Sequence, residues 1–401
     1  MEAERPLYRK YFPIGGETKM KKKVLAILLT SMMAMSMVAC GSKDAATDTP
    51  AADDAANTED VADDAADAEG NDYHFEIIVK SFQSTYWQAA VKGVEQACEE
   101  QGVTAKCNGP ANESDIADQV QMLDAAIAAK PDGIGLAACD TNSVTDSLGK
   151  ALEKGIPVVC FDTGVDNAPE GSVAATVATD NAAAGACAAE NMYPVIKDVL
   201  AAATVDAPAR IGEVNQDATA QNIQQRGLGF INKMIELCAA DGIKVAVEGN
   251  EFYVNAAEGA EKDGATVIIE VAVPAQTTVE LAAAEAQKIM AKNDTVAIFG
   301  SNQTTAEGVI TANGTLNKLG TDPKTSIIGA GFDAGTPQKE AITAGQFIGS
   351  VTQSPLMMGY ECINTLVAVC NGEEVADIPM DGYWYDATNM EDDSIAPNLY
   401  D

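Results

Sequence analysis

From residue 75 onward, short continuous apolar runs alternate with longer stretches whose apolar positions recur every three or four residues. Phe75, Ile77, Ile78 and Val79 open the series and predict a buried strand over 75–79. Ala90, Val91, Val94 and Cys98 then fall on one helical face, predicting a helix over 87–101. The alternation continues with strands expected over 103–107, 133–138 and 156–161 and helices over 116–129 and 144–153. A long Ala-rich helix is expected to open at Asn181 and run to about residue 203, kinked at Pro194. A second series follows, with strands over 210–215, 245–248, 267–271, 296–299, 326–331, 347–351 and 382–386. Its helices are expected over 219–239, 279–291, from 303 onward, over 337–344 and over 356–370. Strands alternating with helices of this length make βαβ units on a parallel sheet. Ten or more alternations exceed one sheet, so the expected fold is α/β: two doubly wound parallel-sheet domains facing each other across a cleft. In such sheets ligands bind beyond the carboxyl ends of the strands.

The chain before this body reads differently. Lys21, Lys22 and Lys23 precede an apolar run over 24–39, which closes on Ala39 and Cys40. That is a basic n-region, an apolar h-region and a small-residue cleavage site, the pattern of a secretory signal peptide. The run is shorter than the ~20 apolar residues that span a bilayer. A Cys directly after the small residue resembles a bacterial lipoprotein signal, which implies a lipidated Cys40 as mature N-terminus. Residues 1–19 carry no apolar period and are expected to be a non-native extension, with Met20 as the true start. Gly15-Gly16-Glu17 would be encoded by a purine-rich stretch suited to a ribosome-binding site. Residues 42–72 are Ala, Asp, Glu and Thr with almost nothing apolar, and such a segment cannot offset the entropy of ordering. The expectation is a signal peptide over 20–39 and an acidic disordered tether over 40–72, holding a folded body off a membrane surface.

Composition narrows the class. The formal net charge of −35 argues against a nucleic-acid partner, because a phosphate backbone is held by clustered Lys and Arg. Subtracting leader and tether leaves about 330 residues, enough for two full cores. The nine cysteines are scattered, form no CxxC, and apart from Cys40 mostly sit in apolar contexts; they are expected to be buried free thiols, with Cys98 and Cys107 a conceivable bridged pair. No enzyme signature emerges. The single His is His74 at the edge of the first strand, and Ser147 with Lys150 matches SxxK inside an ordinary helix, without companion motifs. Gly133 and Gly135 match GxGxxA but lie within a strand instead of after it. The acidic stretch 386–393 lacks calcium-loop spacing. Neither a metal site nor a cofactor site is expected.

From 75 to 385 the order of pieces resembles the ribose/galactose type of bacterial solute-binding protein, the receptor of an ABC importer. The segment 79–87 with its paired Tyr86 and Trp87 is similar to that family's first strand exit, and 155–162 ending in Asp162 to its fourth strand with a pocket carboxylate. Residues 178–181 resemble the first hinge crossing, Arg226-Gly227-Leu228-Gly229-Phe230 the pocket arginine with its helix, and Thr352-Gln353 the second crossing. Segment 297–302 and Gly331-Phe332-Asp333 resemble two strand exits of the second domain. The resemblance implies a ligand set of Lys80, Ser84, Tyr86, Trp87, Asp162, Arg226, Asn302, Asp333 and Gln353. The chemistry suits a sugar: aromatic rings cover the CH face of a pyranose, and Asp, Asn, Gln and Arg can each engage two neighbouring hydroxyls. Each residue also has a plainer reading. Tyr86 and Trp87 could staple the helix that follows them, Asn302 could cap its helix, and Asp162 and Asp333 could be turn residues. Arg226 could pair with a helix carboxylate and Gln353 could be a hinge hydrogen bond. The sequence departs from the ribose pattern at Ala137, Thr163, Thr277 and Lys80, and segment 251–264 is long. Lys80 could signal an acidic or modified sugar, or simply face solvent.

The resulting expectation is a monomeric, lipid-anchored, extracytoplasmic protein that captures a monosaccharide or related polyol and delivers it to an ABC permease. It places 73–178 with 354–382 in one lobe and 179–353 with 383–401 in the other, with crossings near Ala178, Gln353 and Gly382. A lipid-anchored sugar or autoinducer sensor acting on a signalling receptor is the alternative. A repressor, which shares this body plan, would need a basic helix-turn-helix in front.

Overall fold

The computed structural model describes residues 72–400. The expectations for the leader, the lipidated Cys40 and the tether lie outside the described residues.

The first sheet is built from β1 (His74–Ile78), β2 (Thr104–Asn108), β3 (Gly133–Leu136), β4 (Val158–Phe161), β5 (Ala175–Thr179) and β12 (Ile378–Met380). Its spatial order is β12-β5-β4-β3-β1-β2, and every pairing is parallel. The helices α1 (Thr85–Gln101), α2 (Ile116–Ala129) and α3 (Thr145–Glu153) connect the strands, and α10 (Pro355–Cys370) returns to pack on α1. The apolar run of β1 is buried on both faces: Phe75, Ile77 and Ile78 are fully inside. Such two-sided burial is what a parallel sheet covered by helices demands. One face carries Leu123 and Ile127 of α2 and Leu148 of α3 against Ile134 and Val158.

The second sheet has the order β13-β11-β10-β9-β6-β8-β7. Its strands are β6 (Ala209–Val214), β7 (Val245–Gly249), β8 (Val267–Ala272), β9 (Thr295–Gly300), β10 (Ile328–Phe332), β11 (Phe347–Thr352) and β13 (Tyr383–Tyr385). All run parallel except β13, which pairs antiparallel with β11. Helices α4 (Asn181–Ala202) and α5 (Gln221–Ala240) cover one face, where Met192, Ile196, Phe230 and Met234 meet Ile211, Ile269 and Phe299. Helices α7 (Val279–Met290), α8 (Gln303–Leu316) and α9 (Thr336–Thr343) cover the other. The chain passes between the sheets three times: from β5 into α4, from β11 into α10, and from β12 to β13.

Three details differ from the pattern-based expectation. Helix α1 starts at Thr85, so Tyr86 and Trp87 sit in its first turn; they do not precede it, and the staple geometry does not apply. The strands β5 and β12 were not anticipated, and neither was the short helix α6 (Glu251–Ala256) inside the long 251–264 segment. Helix α4 runs from Asn181 to Ala202 with Pro194 inside it. The eight cysteines after Cys40 are free thiols. Burial pushes Cys98 up to about 11 and Cys107 up to about 12, so neither carries the thiolate that exchange chemistry needs.

Each domain joins two helices backbone to backbone through a pair of glycines. A Cβ on Gly93 of α1 would stand 1.8 Å from the carbonyl oxygen of Leu356, and one on Gly359 of α10 would stand 2.0 Å from that of Ala90. In the second domain Gly185 of α4 and Gly229 of α5 face Arg226 O and Ala182 O in the same way, at 2.0 and 2.2 Å. Only a residue without a side chain permits that approach.

Candidate functional site

Parallel strands end together, so the residues just past their carboxyl ends collect along one edge of each sheet. Lys80 follows β1 and Asp162 follows β4; across the cleft Gln216, Asn302, Asp333 and Gln353 follow β6, β9, β10 and β11. Asp162 and Asp333 occupy equivalent corners. Both adopt left-handed backbone, with φ of 63° and 73°. Asp tolerates this region better than most residues. Each corner is fixed by its own peptide N–H, which Asp162 donates to Val177 O at 2.9 Å and Asp333 to Val351 O at 2.7 Å.

All nine expected ligand residues line one cavity between the two domains. Lys80, Ser84, Tyr86, Trp87 and Asp162 come from the first domain, and Arg226, Asn302, Asp333 and Gln353 from the second. Six further residues join them: Glu113, Gln216, Asn222, Ile223, Gln303 and Thr304. Sequence signals existed for some. Asn222 and Ile223 stand one helical turn before Arg226, and Gln216 follows β6 as Asn302 follows β9. Glu113 lies in a loop with no periodicity to mark it.

Lys80 does not face solvent. It is 1% exposed, its Nζ lies 3.2 Å from Asp162 Oδ2, and it donates to Asn222 Oδ1 at 3.1 Å. Asp162 also accepts from the Tyr86 hydroxyl at 2.5 Å, from Thr163 at 2.8 Å and from Asn222 Nδ2 at 3.0 Å. Burial alone would push the Asp162 carboxyl up, but Lys80, the two hydroxyls and Arg226 reverse that and hold it below the usual range. Lys80 and Thr163, two of the positions where the sequence departs from the ribose pattern, thus both engage this carboxylate. Asp333 is the counterpart in the second domain. It accepts from Gln353 Nε2 at 2.7 Å and from the N–H of Gln303 at 2.9 Å. Burial raises it, with Arg226 and those donors opposing only in part.

Among the described residues Arg226 pairs with no helix carboxylate. Its Nη2 and Nε donate to Asn181 Oδ1 at 2.7 and 3.2 Å, its Nη1 donates to Ser301 O at 2.9 Å, and its guanidinium lies 3.6 Å over the Phe332 ring. Asn302 does cap α8: its side chain accepts from Thr305 N while the Thr305 hydroxyl accepts from Asn302 N, and its Nδ2 also reaches Gln216 Oε1. Gln353 ties two crossings together, since its Oε1 accepts from Thr179 at 2.8 Å. Trp87, 2% exposed, meets Tyr86 edge-on at 4.9 Å and Phe161 at 6.4 Å. Its indole N–H donates to Glu113 Oε1 at 2.8 Å. The C-terminal tail also closes on this region, with the Tyr400 ring 5.9 Å from that of Tyr86. Among the described residues no group of three or more His, Cys, Asp or Glu is placed to hold a metal ion.

Behind the cavity wall, Glu213 on β6 is fully buried, and both its carboxylate oxygens lack a hydrogen-bond partner. Burial with nothing to offset it pushes this carboxyl well above its ordinary range. The folded protein therefore holds a proton that the unfolded chain releases near pH ~4.3. Stability should fall as pH rises from that value to the raised folded pKa, by up to about 1.4 kcal/mol per pH unit. Glu213→Gln cannot titrate, so its melting temperature should fall less steeply over that window in a pH series. Parallel curves for the two proteins would show that Glu213 is ionised in the fold.

A cleft between two parallel-sheet domains, lined from both sides by fixed polar groups and aromatic rings, defines a solute-binding protein of the type I periplasmic fold. The chain matches the family model described as a periplasmic binding protein domain over residues 75–374 and belongs to that family; its members bind solutes and are not enzymes. The ribose import binding protein RbsB of Haemophilus influenzae is 25% identical over 242 residues, 60% of this chain and 67% of that protein. Its Escherichia coli counterpart is 26% identical over 247 residues, again 60% and 67%. A Brachyspira murdochii structure titled an ABC transporter, LacI family transcriptional regulator superposes with a TM-score of 0.68 at 30% identity, covering 82% of this chain and 99% of its own. An ABC transporter solute-binding protein from Agrobacterium vitis with bound D-fucose gives 0.66 at 27% identity, covering 82% and 100%.

Proposed function

We propose that this protein binds a neutral monosaccharide or related polyol in the interdomain cleft and delivers it to an ABC importer, held at the outer face of the membrane by lipid on Cys40. One observation carries the reading: five polar or aromatic residues of one domain and four of the other converge on a single cavity. The ribose import proteins and the D-fucose complex among the relatives support the same ligand class. An acidic sugar is disfavoured. Of the two cations that line the cavity, Lys80 is already paired with Asp162, and Arg226 is already bonded to Asn181 and Ser301 O. An added carboxylate would have to share them in a poorly solvated space.

A thermal-shift screen over D-ribose, D-galactose, D-fucose, D-arabinose and D-glucuronate tests this. At least one neutral sugar should raise the melting temperature, by the equivalent of about 2.7 kcal/mol at a hundredfold excess over Kd. D-glucuronate should give no shift. Asp333→Ala should weaken the bound sugar by about 10²-fold or more, since bonds to a charged group contribute about 1.5–3 kcal/mol each. Shifts with amino acids or peptides alone would discard the sugar reading. Anchoring is tested separately by labelled palmitate, which should be incorporated by the full chain and not by Cys40→Ser.

A further inference from the structure

We propose that Asn112 and Ser114, in the loop between β2 and α2, latch onto Thr277 of the opposite domain, and that this latch sets how long any bound ligand is retained without selecting which ligand binds. The inference rests on the reading above that the cleft opens and closes around a solute. Three consecutive side chains of the β2–α2 loop bond across the cleft. Asn112 Nδ2 donates to Thr277 O at 2.9 Å. The N–H of Thr277 donates to Ser114 Oγ at 2.7 Å, and that hydroxyl donates in turn to Thr277 Oγ1 at 3.2 Å. Between them Glu113 Oε2 accepts from Gln216 Nε2 at 2.8 Å.

The loop is built to present these groups. Ser114 N–H donates to Asn112 Oδ1 at 2.9 Å, and Asn112 N–H to Asp115 Oδ2 at 3.1 Å, just before α2 begins. On the other side Thr277 is 7% exposed and immediately precedes Thr278, whose side chain caps α7. Both halves are thus tied to helix starts, so little freedom is lost when they meet, and preorganised contacts keep more of their gross energy. Asn112, Ser114 and Thr277 do not line the cavity, whereas Glu113 and Gln216 do, so the bond between those two is not part of the latch. Thr277 is one of the positions where the sequence departs from the ribose pattern; here it fastens the two domains.

A contact made only in the closed state and never with the ligand multiplies the closed population by one factor for every ligand. Removing it must accelerate release of all ligands equally and leave association nearly untouched. The experiment is stopped-flow tryptophan fluorescence on D-ribose, D-galactose and D-fucose with the wild type, Asn112→Ala/Ser114→Ala and the near-isosteric Thr277→Val. The double variant should release every sugar that binds about ten- to a hundredfold faster, by the same factor for each, and Thr277→Val should show a smaller change in the same direction. Unchanged release, or factors that differ from sugar to sugar, would overturn the latch. Should none of the three sugars bind, the latch is decided independently of the sugar reading, by amide hydrogen exchange. The Thr277 N–H, which donates to Ser114 Oγ, should then be protected in the wild type and exchange faster in Ser114→Ala; equal exchange in both would overturn it.

Discussion

Lys80→Met should cost the folded protein about 3–5 kcal/mol at neutral pH, because it strands the buried Asp162 carboxylate without its cation. Asp162 is 4% exposed, and three neutral donors would remain to it: Tyr86, Thr163 and Asn222. Those bonds place the loss toward the lower end of the range. The pair is coupled in both directions. Burial pulls the Lys80 ammonium down, but Asp162, with Glu113 and Asp217, raises it above its ordinary value, and Lys80 helps hold Asp162 below its own. In the wild type the depressed Asp162 contributes stability that is present above its unfolded pKa of ~3.9 and is lost as pH falls through the lower folded value. In Lys80→Met the sign inverts: the folded pKa of Asp162 rises, and acidification through it should restore part of the loss. Lys80→Met/Asp162→Asn removes both charges and should recover most of the stability, as replacing a whole buried pair is far milder than breaking it. Urea unfolding of the wild type and both variants at pH 7.5 and pH 5 measures this. A double variant no more stable than Lys80→Met would mean that the two charges are not coupled in the fold.

This ion pair also marks how far the sequence could be read. The strand ends were legible, because runs such as Ile77–Val79 and Val158–Phe161 have no other way to be buried, and the polar residue past each run must stand at the cleft edge. That logic marks the strand exits, and the family resemblance picks out Lys80, Asp162, Asn302, Asp333 and Gln353 there as ligand residues. It could not say what Lys80 touches, since its partner comes from a different strand exit, and facing solvent or a charged ligand were equally open. Trp87 was expected to cover a sugar face or staple its helix; it is almost wholly buried and held by Glu113, whose loop gives no pattern to read. β5 was missed because Ala175-Thr176-Val177-Ala178-Thr179 holds a single large apolar side chain; its burial alternates and comes from its neighbours β4 and β12. β12 contains Pro379, which belongs on a sheet edge and argues against a strand when seen alone. In both cases the tertiary environment supplies a strand that local propensity does not.

The glycines between helices are a constraint that the sequence carries without announcing. Gly185→Ala should destabilise the protein by about 3 kcal/mol, the upper end of ordinary overpacking, because the new methyl meets backbone and not a side chain that can swing away. Its Cβ would lie 2.0 Å from Arg226 O and 2.9 Å from Phe230 N. Relief requires α4 and α5 to separate, and α5 carries Arg226. A shift of α5 draws the guanidinium away from Asn181 Oδ1 on α4 and from Ser301 O, so ligand affinity should fall together with stability. Gly149→Ala is the control. Gly149 sits inside α3, and its nearest neighbour to an added methyl is Pro169 Cγ at 3.9 Å. There the smaller entropy of the unfolded chain and the better helix propensity of Ala should stabilise by about 0.5–1 kcal/mol. Urea denaturation of the two variants therefore gives opposite signs for the same chemical change. If Gly185→Ala proved as stable as the wild type, the two helices would have room to part without cost, and Arg226 would not be held by the crossing that now fixes it.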